Sequence, residues 1–303
     1  MSEKVLNKMK IGITALSFEG VMENLKLGID DTMFFDHIRL VKKLVENGFK
    51  HVELTADLYH VLPESFSKNN IEELDSMRCD GVSFSVHLPL LSVELDSPVE
   101  DVRRASVSAV VKPVEILEGL KPLVYVLHAA GPISAELSRM NISQSYKDMF
   151  FEILARNASK SVEQIVSHLS DMGVASRRIA LESIEFPLHK TIEIAEEHDT
   201  SICVDTGHIL AGYCGEISVE EAIVRSSGRL GEIHLHDAYR KVVKDTVVAR
   251  DHLPLGAGNL NIESFLKTLE KAGSRSTLIV FELGLSDVKT SLEKLASFGT
   301  FSL

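Results

Sequence analysis

Only three cysteines occur, Cys79, Cys203 and Cys214. The number is odd and no Cys-x-x-Cys spacing is present, so neither a disulfide framework nor a thiolate zinc site is suggested, and the three read as small core or loop residues. No apolar run approaches the ~18 residues needed to cross a bilayer, and the start, MSEKVLNKMK, lacks the apolar stretch of a signal peptide. A cytoplasmic protein without a membrane partner is expected. Cations are also in short supply: 32 Lys+Arg face 44 Asp+Glu, a formal charge of −12. That balance disfavours nonspecific attraction to nucleic acid or anionic membrane. There is no linker rich in Pro, Gly or Ser, and no GxGxxG follows the first apolar run, which argues against an open dinucleotide-binding sheet.

What is present is apolar and periodic. With 303 residues, 45% of them hydrophobic and 25% charged, the chain can bury a large core, and residues 1–303 are expected to form one domain. Eight short β-rich runs recur: Lys10 to Phe18, His51 to Ala56, Val82 to Pro89, Leu123 to Ala129, Arg178 to Ser183, Ser201 to His208, Gly231 to Asp237 and Leu278 to Leu283. Helical periodicity separates them, as in FFDHIRLVKKLVENG, where Phe35, Ile38, Leu40, Val41, Leu44 and Val45 gather on one side before Gly48. Further helices are expected over Val99 to Glu118, Ser145 to Met172, Leu188 to His198, Val219 to Ser226, Ile262 to Ala272 and Asp287 to Phe298. The second unit is the weakest, with a short helix around Ile71 to Met77. Pro113 predicts a kink or a break in the third helix. Alternating strands and helices demand parallel crossovers, and eight such units fit an α/β fold of the closed (β/α)₈ TIM-barrel type.

The C-terminal ends of these runs carry the chemistry: SVH (His87), VLH (His128), ALE (Glu182), VDTGH (Asp205, His208), IHLHD (His234, His236, Asp237) and VFE (Glu282). In a barrel they converge on one face. A single histidine there reads as a satisfied polar cap, but six of the twelve histidines (87, 128, 208, 234, 236 and 252) lie at strand ends or in the loops after them. The carboxylates among them would repel one another unless a cation neutralised them, and a divalent metal is the simplest cation. Parity agrees: Glu182 shares its strand face with Ala180, Glu282 with Val280, His128 with Val126 and His87 with Ser85. Glu232, on the parity of His234, is expected at the wet bottom of the barrel. Glu53, ending VEL on the second strand, can reach the pocket, but a barrel-layer carboxylate paired with a Lys or Arg is the role expected of it. Tyr59 and His60 are expected in a loop that either covers the site or faces solvent.

The pieces LESIE, VDTGHILAGY, IHLHDAYR, HLPLGAGNLNIESF and VFELG, in that order and spacing, resemble the xylose isomerase-like barrel superfamily over nearly the whole chain. That group includes sugar isomerases and epimerases, inosose dehydratases and endonuclease IV. The resemblance implies a shared metal site of Glu182, Asp205, His234 and Glu282, suited to Mn²⁺, Mg²⁺ or Zn²⁺, with one or two metals per chain. It implies His208 facing the substrate and Arg240, six residues after His234, at an epimerase arginine position or in a solvated loop. His236 and His252 would join the substrate-binding set.

For the isomerase-like branch the resemblance implies that a metal holds a carbonyl and a neighbouring hydroxyl while Glu182 and Glu282 exchange a proton on opposite faces. The substrate would be a small polyhydroxylated or phosphorylated molecule. The endonuclease-like branch adds a second metal on His87, His128 and Glu182, and a third on His208, His252 and an Asp. Arg250 occupies that Asp's position and Asp251 is adjacent. A guanidinium offers only donors, so Arg250 is expected to attract an anion beside His208 and His252, the alternative being that it faces solvent and Asp251 completes the third site. The Tyr that follows the endonuclease-like HxP motif is also missing, since His87 is followed by Leu88, Pro89 and Leu90, and the two departures make nucleic acid a poor substrate candidate. VHLPL, YVLHAAGP, CVDTGH and IHLH resemble cobamide-remodelling phosphodiesterases, which keeps phosphodiester hydrolysis as an alternative, and a non-catalytic binding barrel is a further one. Specificity falls to the loops Asp57 to Asn70, Leu90 to Pro98 and Ala238 to Gly258, and the sequence fixes no oligomeric state.

Overall fold

Eight parallel strands close into a barrel in the computed structural model, which describes residues 10–16, 37–140, 142–243, 246–272 and 277–299. Its staves are β1 (Lys10–Thr14), β2 (His51–Thr55), β3 (Ser83–His87), β4 (Tyr125–Leu127), β5 (Ile179–Glu182), β6 (Ser201–Asp205), β7 (Leu230–His234) and, after an antiparallel hairpin of β8 (Asp237–Val243) and β9 (Thr246–Leu253), β10 (Leu278–Phe281). β10 pairs with both β7 and β1, which closes the ring. The crossover helices are α1 (His37–Glu46), α2 (Lys68–Cys79), α3 (Glu100–Leu117), α4 (Gln144–Asp171), α5 (Leu188–Glu197), α6 (Val219–Ser226), α7 (Ile262–Lys271) and α8 (Leu285–Ala296). The expected (β/α)₈ barrel is therefore the fold. Phe18 and Phe35 lie outside the described residues.

Each strand sorts its side chains by alternation. Val124, Val126, Ala180, Cys203, Leu278 and Val280 pack together inside the barrel. Their outward neighbours, such as Tyr125, Leu181, Ile202 and Ile279, join the larger core under the helices. The helices meet that core with apolar stripes; α1 buries Ile38, Val41 and Leu44 at helical spacing while Lys42 and Lys43 are exposed. Because Glu182 follows Ala180 by two, Asp205 follows Cys203 and Glu282 follows Val280, the inward parity delivers all three carboxylates to one mouth.

The strands end earlier than the apolar runs. Ser201 to His208 turns helical at Thr206 because the carboxylate of Asp205 caps the turn, accepting from the His208 N–H at 2.6 Å. The run expected to reach Asp237 stops at His234, and Asp237 instead opens the hairpin. α2 is longer than Ile71 to Met77. Pro113 does not break α3, which continues to Leu117. Proline cannot donate to the carbonyl four residues back, that of Ala109, and Nε2 of His60 donates to that oxygen instead, at 2.9 Å. His60 thus serves a helix rather than covering the site.

Candidate metal centre

Glu182, 1% exposed at the end of β5, divides its two oxygens between two sets of partners. Oε2 lies 3.2 Å from Nε2 of His87 and 3.0 Å from Nε2 of His128. Oε1 lies 3.1 Å from Nδ1 of His208 and 3.7 Å from Nδ1 of His234. The same Nδ1 of His234 is 3.8 Å from Oδ2 of Asp205 and 3.6 Å from Oε2 of Glu282. The four residues carried over from the family thus meet in the barrel mouth, with His208 beside them. Oε2 of Glu282 also faces Nε2 of His252, at 3.3 Å.

Several of these inward atoms have no aligned hydrogen-bond partner: Oε1 of Glu182, Nδ1 of His208, Nδ1 of His234 and Oε2 of Glu282, all buried. Buried polar atoms are normally satisfied, so four orphans aimed at one region fit a ligand set for a cation. One donor atom each from Glu182, Asp205, His208 and Glu282 lies within 4.8 Å of the others, as do those of His87, His128 and Glu182, and of His208, His236, His252 and Glu282. Mixed imidazole and carboxylate donors suit Mn²⁺, Zn²⁺ or Mg²⁺.

Electrostatics show the same demand for positive charge. Burial alone would lower the pKa of His87, but its hydrogen bond to Glu182 and the charges of Glu182, Glu53 and Glu282 push it up to about 10. Burial likewise opposes charge on His208, yet Asp205 and Glu182 push it up to about 9. His234 is raised well above an ordinary imidazole against its own burial, by Cys203, Glu53, Glu182 and Glu282. Since burial keeps the Cys203 thiol protonated, the carboxylates carry that effect. Glu182 and Glu282 are held well below the carboxylate range despite burial, the first by His128 and His234, the second by His234 and His252. Protonated imidazoles here balance carboxylates that a cation could balance instead.

His236 has both ring nitrogens engaged. Nδ1 accepts from the His252 backbone N–H at 2.9 Å, so the ring proton is assigned to Nε2, which donates to Oδ2 of Asp205 at 2.9 Å. It orients a carboxylate and is not available for substrate, which corrects its expected role. Its ring lies against Gly207, where a Cβ would stand 2.1 Å away. His208 and His252 border the mouth, and the ring of Tyr213 packs 5.8 Å from that of His208.

The hairpin settles the positions of Arg250 and Asp251. Successive strand residues face opposite sides: Asp251 approaches Nε2 of His208 at 3.7 Å and Nδ1 of His252 at 3.5 Å, while Arg250 is exposed on the other face. Against burial, His252 and His208 lower the pKa of Asp251 to about 2. Arg250 therefore does not stand beside the two histidines as expected. Arg240 is not in the mouth either: its Nη1 donates to Glu216 at 2.6 Å, and the guanidinium lies over Gly212. It borders a cavity of about 450 Å³ that Lys147, Tyr213 and Arg225 also line.

Two expectations for acids change. Among the described residues Glu53 pairs not with a Lys or Arg but with Nε2 of His234, at 3.2 Å. Glu232 is not wet; it is fully buried, 3.6 Å from the same nitrogen. Asp237 holds the loop after β9 rather than a ligand, accepting from the backbone N–H groups of Ala238, Gly256, Gly258 and Leu260 at 2.8–2.9 Å.

A family model described as xylose isomerase-like TIM barrel matches residues 41–297. An uncharacterized protein of Methanocaldococcus jannaschii is 20% identical over 287 residues, covering 89% of this chain and 98% of its own length. Among solved structures, a D-tagatose 3-epimerase-like protein superposes with a TM-score of 0.66 at 22% identity, covering 96% of this chain and 97% of that one. A D-psicose 3-epimerase from Clostridium cellulolyticum H10, solved with D-tagatose, does so at 0.62 and 18%, covering 93% and 90%. At these identities the superpositions speak for the shared barrel.

Proposed function

The chain belongs to the xylose isomerase-like TIM barrel family, and from that premise we propose that it is a divalent-metal-dependent isomerase or epimerase of a sugar or sugar phosphate. The observation that carries this reading is the meeting of Oε1 of Glu182 and Oε2 of Glu282, both without hydrogen-bond partners, at Nδ1 of His234. Fold neighbours named as 3-epimerases of tagatose and psicose add support.

Glu182, Asp205, His234 and Glu282 would hold the cation, which when bound polarises a substrate carbonyl and acidifies the adjoining C–H. Glu182 and Glu282 enter from β5 and β10, on different sides of the mouth. One carboxylate, ionised, would accept the carbon-bound proton; the other, having taken a proton from water, would deliver it to the opposite face, and exchange of both with solvent would restore the starting state. His208 donates to a substrate oxygen, and His236 keeps Asp205 oriented.

A second reading, phosphodiester hydrolysis, rests on one specific observation: Oε2 of Glu182 faces His87 and His128 while Oε1 faces His234. One carboxylate with an oxygen for each of two ligand groups suits two metals, and Asp251 with His208 and His252 could hold a third. Elemental analysis of the purified, dialysed protein separates the readings. One Mn²⁺ or Zn²⁺ per chain supports isomerisation, two or three favour hydrolysis, and none contradicts both.

A further inference from the structure

Beyond the ring of His234, on the side of Nε2, the barrel core holds two more carboxylates, Glu53 and Glu232, 1% and 0% exposed. Glu53 comes from β2 and Glu232 from β7, two residues before His234 on the same parity. Glu232 is tethered from below. Ser85 donates to its Oε1 at 3.3 Å; Ser85 meets Nε2 of His51 at 3.1 Å; Nδ1 of His51 meets Ser83 at 2.9 Å; and Lys10 donates to Ser83 at 3.0 Å. The ring of His51 is clamped by Gly12, where a Cβ would stand 2.5 Å from Cδ2. This column runs up the barrel axis and ends under His234, where Oε2 of Glu53 makes the closer approach, 3.2 Å against 3.6 Å for Glu232.

An imidazole has two nitrogens, and which one faces a metal is set by the partner of the other. We propose that Glu53 is the positioning residue of the centre: it accepts the Nε2 proton of His234 and thereby turns the Nδ1 lone pair toward Glu182, Asp205 and Glu282. The inference rests on the reading of His234 as a metal ligand. It assigns a function to the Val-Glu-Leu end of β2, which takes no part in the proton transfer.

The test compares Glu53→Leu, which removes the acceptor, with Glu53→Gln, which keeps one at similar volume. Mn²⁺ affinity by calorimetry should fall about 10- to 100-fold in the leucine variant and recover most of that in the glutamine variant. The metal-free melting temperature of each variant, measured beside the titration, shows that the affinities are those of folded protein. In metal-free protein labelled with ¹⁵N-histidine, the carboxylate-bonded imidazole protons, to which His87, His128 and His236 also contribute, should be far downfield, and one of them, that of His234, should vanish in Glu53→Leu. Unchanged Mn²⁺ affinity in the leucine variant would overturn the proposal, as would a spectrum in which no such proton is lost. So would a metal bound between Glu53, Glu232 and Nε2 of His234, atoms close enough to hold one. If the unaltered protein binds no Mn²⁺ the reading of the centre fails, while the histidine spectrum still decides the Glu53–His234 contact.

Discussion

The backbone N–H of His252 donates to Nδ1 of His236, and the two rings stack with centroids 4.2 Å apart and planes 10° from parallel. The hairpin that carries His252, whose backbone lies in the left-handed region at φ 51°, thereby sets the tautomer of His236 and, through it, the orientation of Asp205. His236→Phe keeps a ring against Gly207 and removes the donor. It should lower metal affinity about 10- to 100-fold, a loss typical of groups that orient ligands. Calorimetric titration with Mn²⁺ checks this.

Glu182→Gln and Glu282→Gln should each lower metal occupancy and abolish turnover, since each residue is both a proposed ligand and a proposed proton carrier. Elemental analysis beside an activity assay decides it. Full metal content with normal activity in either variant would remove that residue from the site.

Gly207→Ala should destabilise the protein by about 1–3 kcal/mol, the usual cost of overpacking, because the new Cβ would meet the His236 ring at 2.1 Å. The ring would have to move, so metal affinity should fall with the melting temperature. A thermal melt with and without Mn²⁺ reads both.

Without metal, stability should decline as pH rises. His87 and His208 have folded pKa values raised to about 10 and about 9 from 6.5. Their contribution is complete below pH 6.5 and is lost as the pH passes through those folded values. Glu232, which burial and the charge of Glu53 push up to about 8, adds to the decline from the acid side of that range. A metal that replaces the protons should reverse the trend, because its affinity grows as the imidazoles deprotonate. Melting temperatures from pH 6 to pH 10, in chelator and in excess Mn²⁺, should diverge.

The barrel and most of its mouth were legible because both rest on alternation along a strand: Ala180 and Glu182, or Val280 and Glu282, face inward together in any parallel barrel. The second layer was not. Whether Glu53 meets a cation or an imidazole depends on barrel closure, which brings β2 opposite β7 across the lumen, and no local pattern encodes that. Ala238 to Gly258 has the look of a loop in sequence, and only the strand of Thr246–Leu253 turns Asp251 inward and Arg250 outward. The contact of His60 with the Ala109 carbonyl, which Pro113 cannot serve, joins residues 49 positions apart and left only the proline as a signal.

Proton transfer at a sugar carbon by Glu182 and Glu282 can be watched by solvent-isotope exchange. Mn²⁺-loaded protein is incubated in D₂O with a panel of ketohexoses, ketopentoses and their phosphates, and the sugars are followed by proton NMR. Deuterium should appear at the carbon beside the carbonyl of at least one of them, and on none with Glu182→Gln or Glu282→Gln. Absence of exchange across the panel, with steady cleavage of bis(p-nitrophenyl) phosphate by the same metal-loaded protein, would contradict it and leave phosphodiester hydrolysis as the activity.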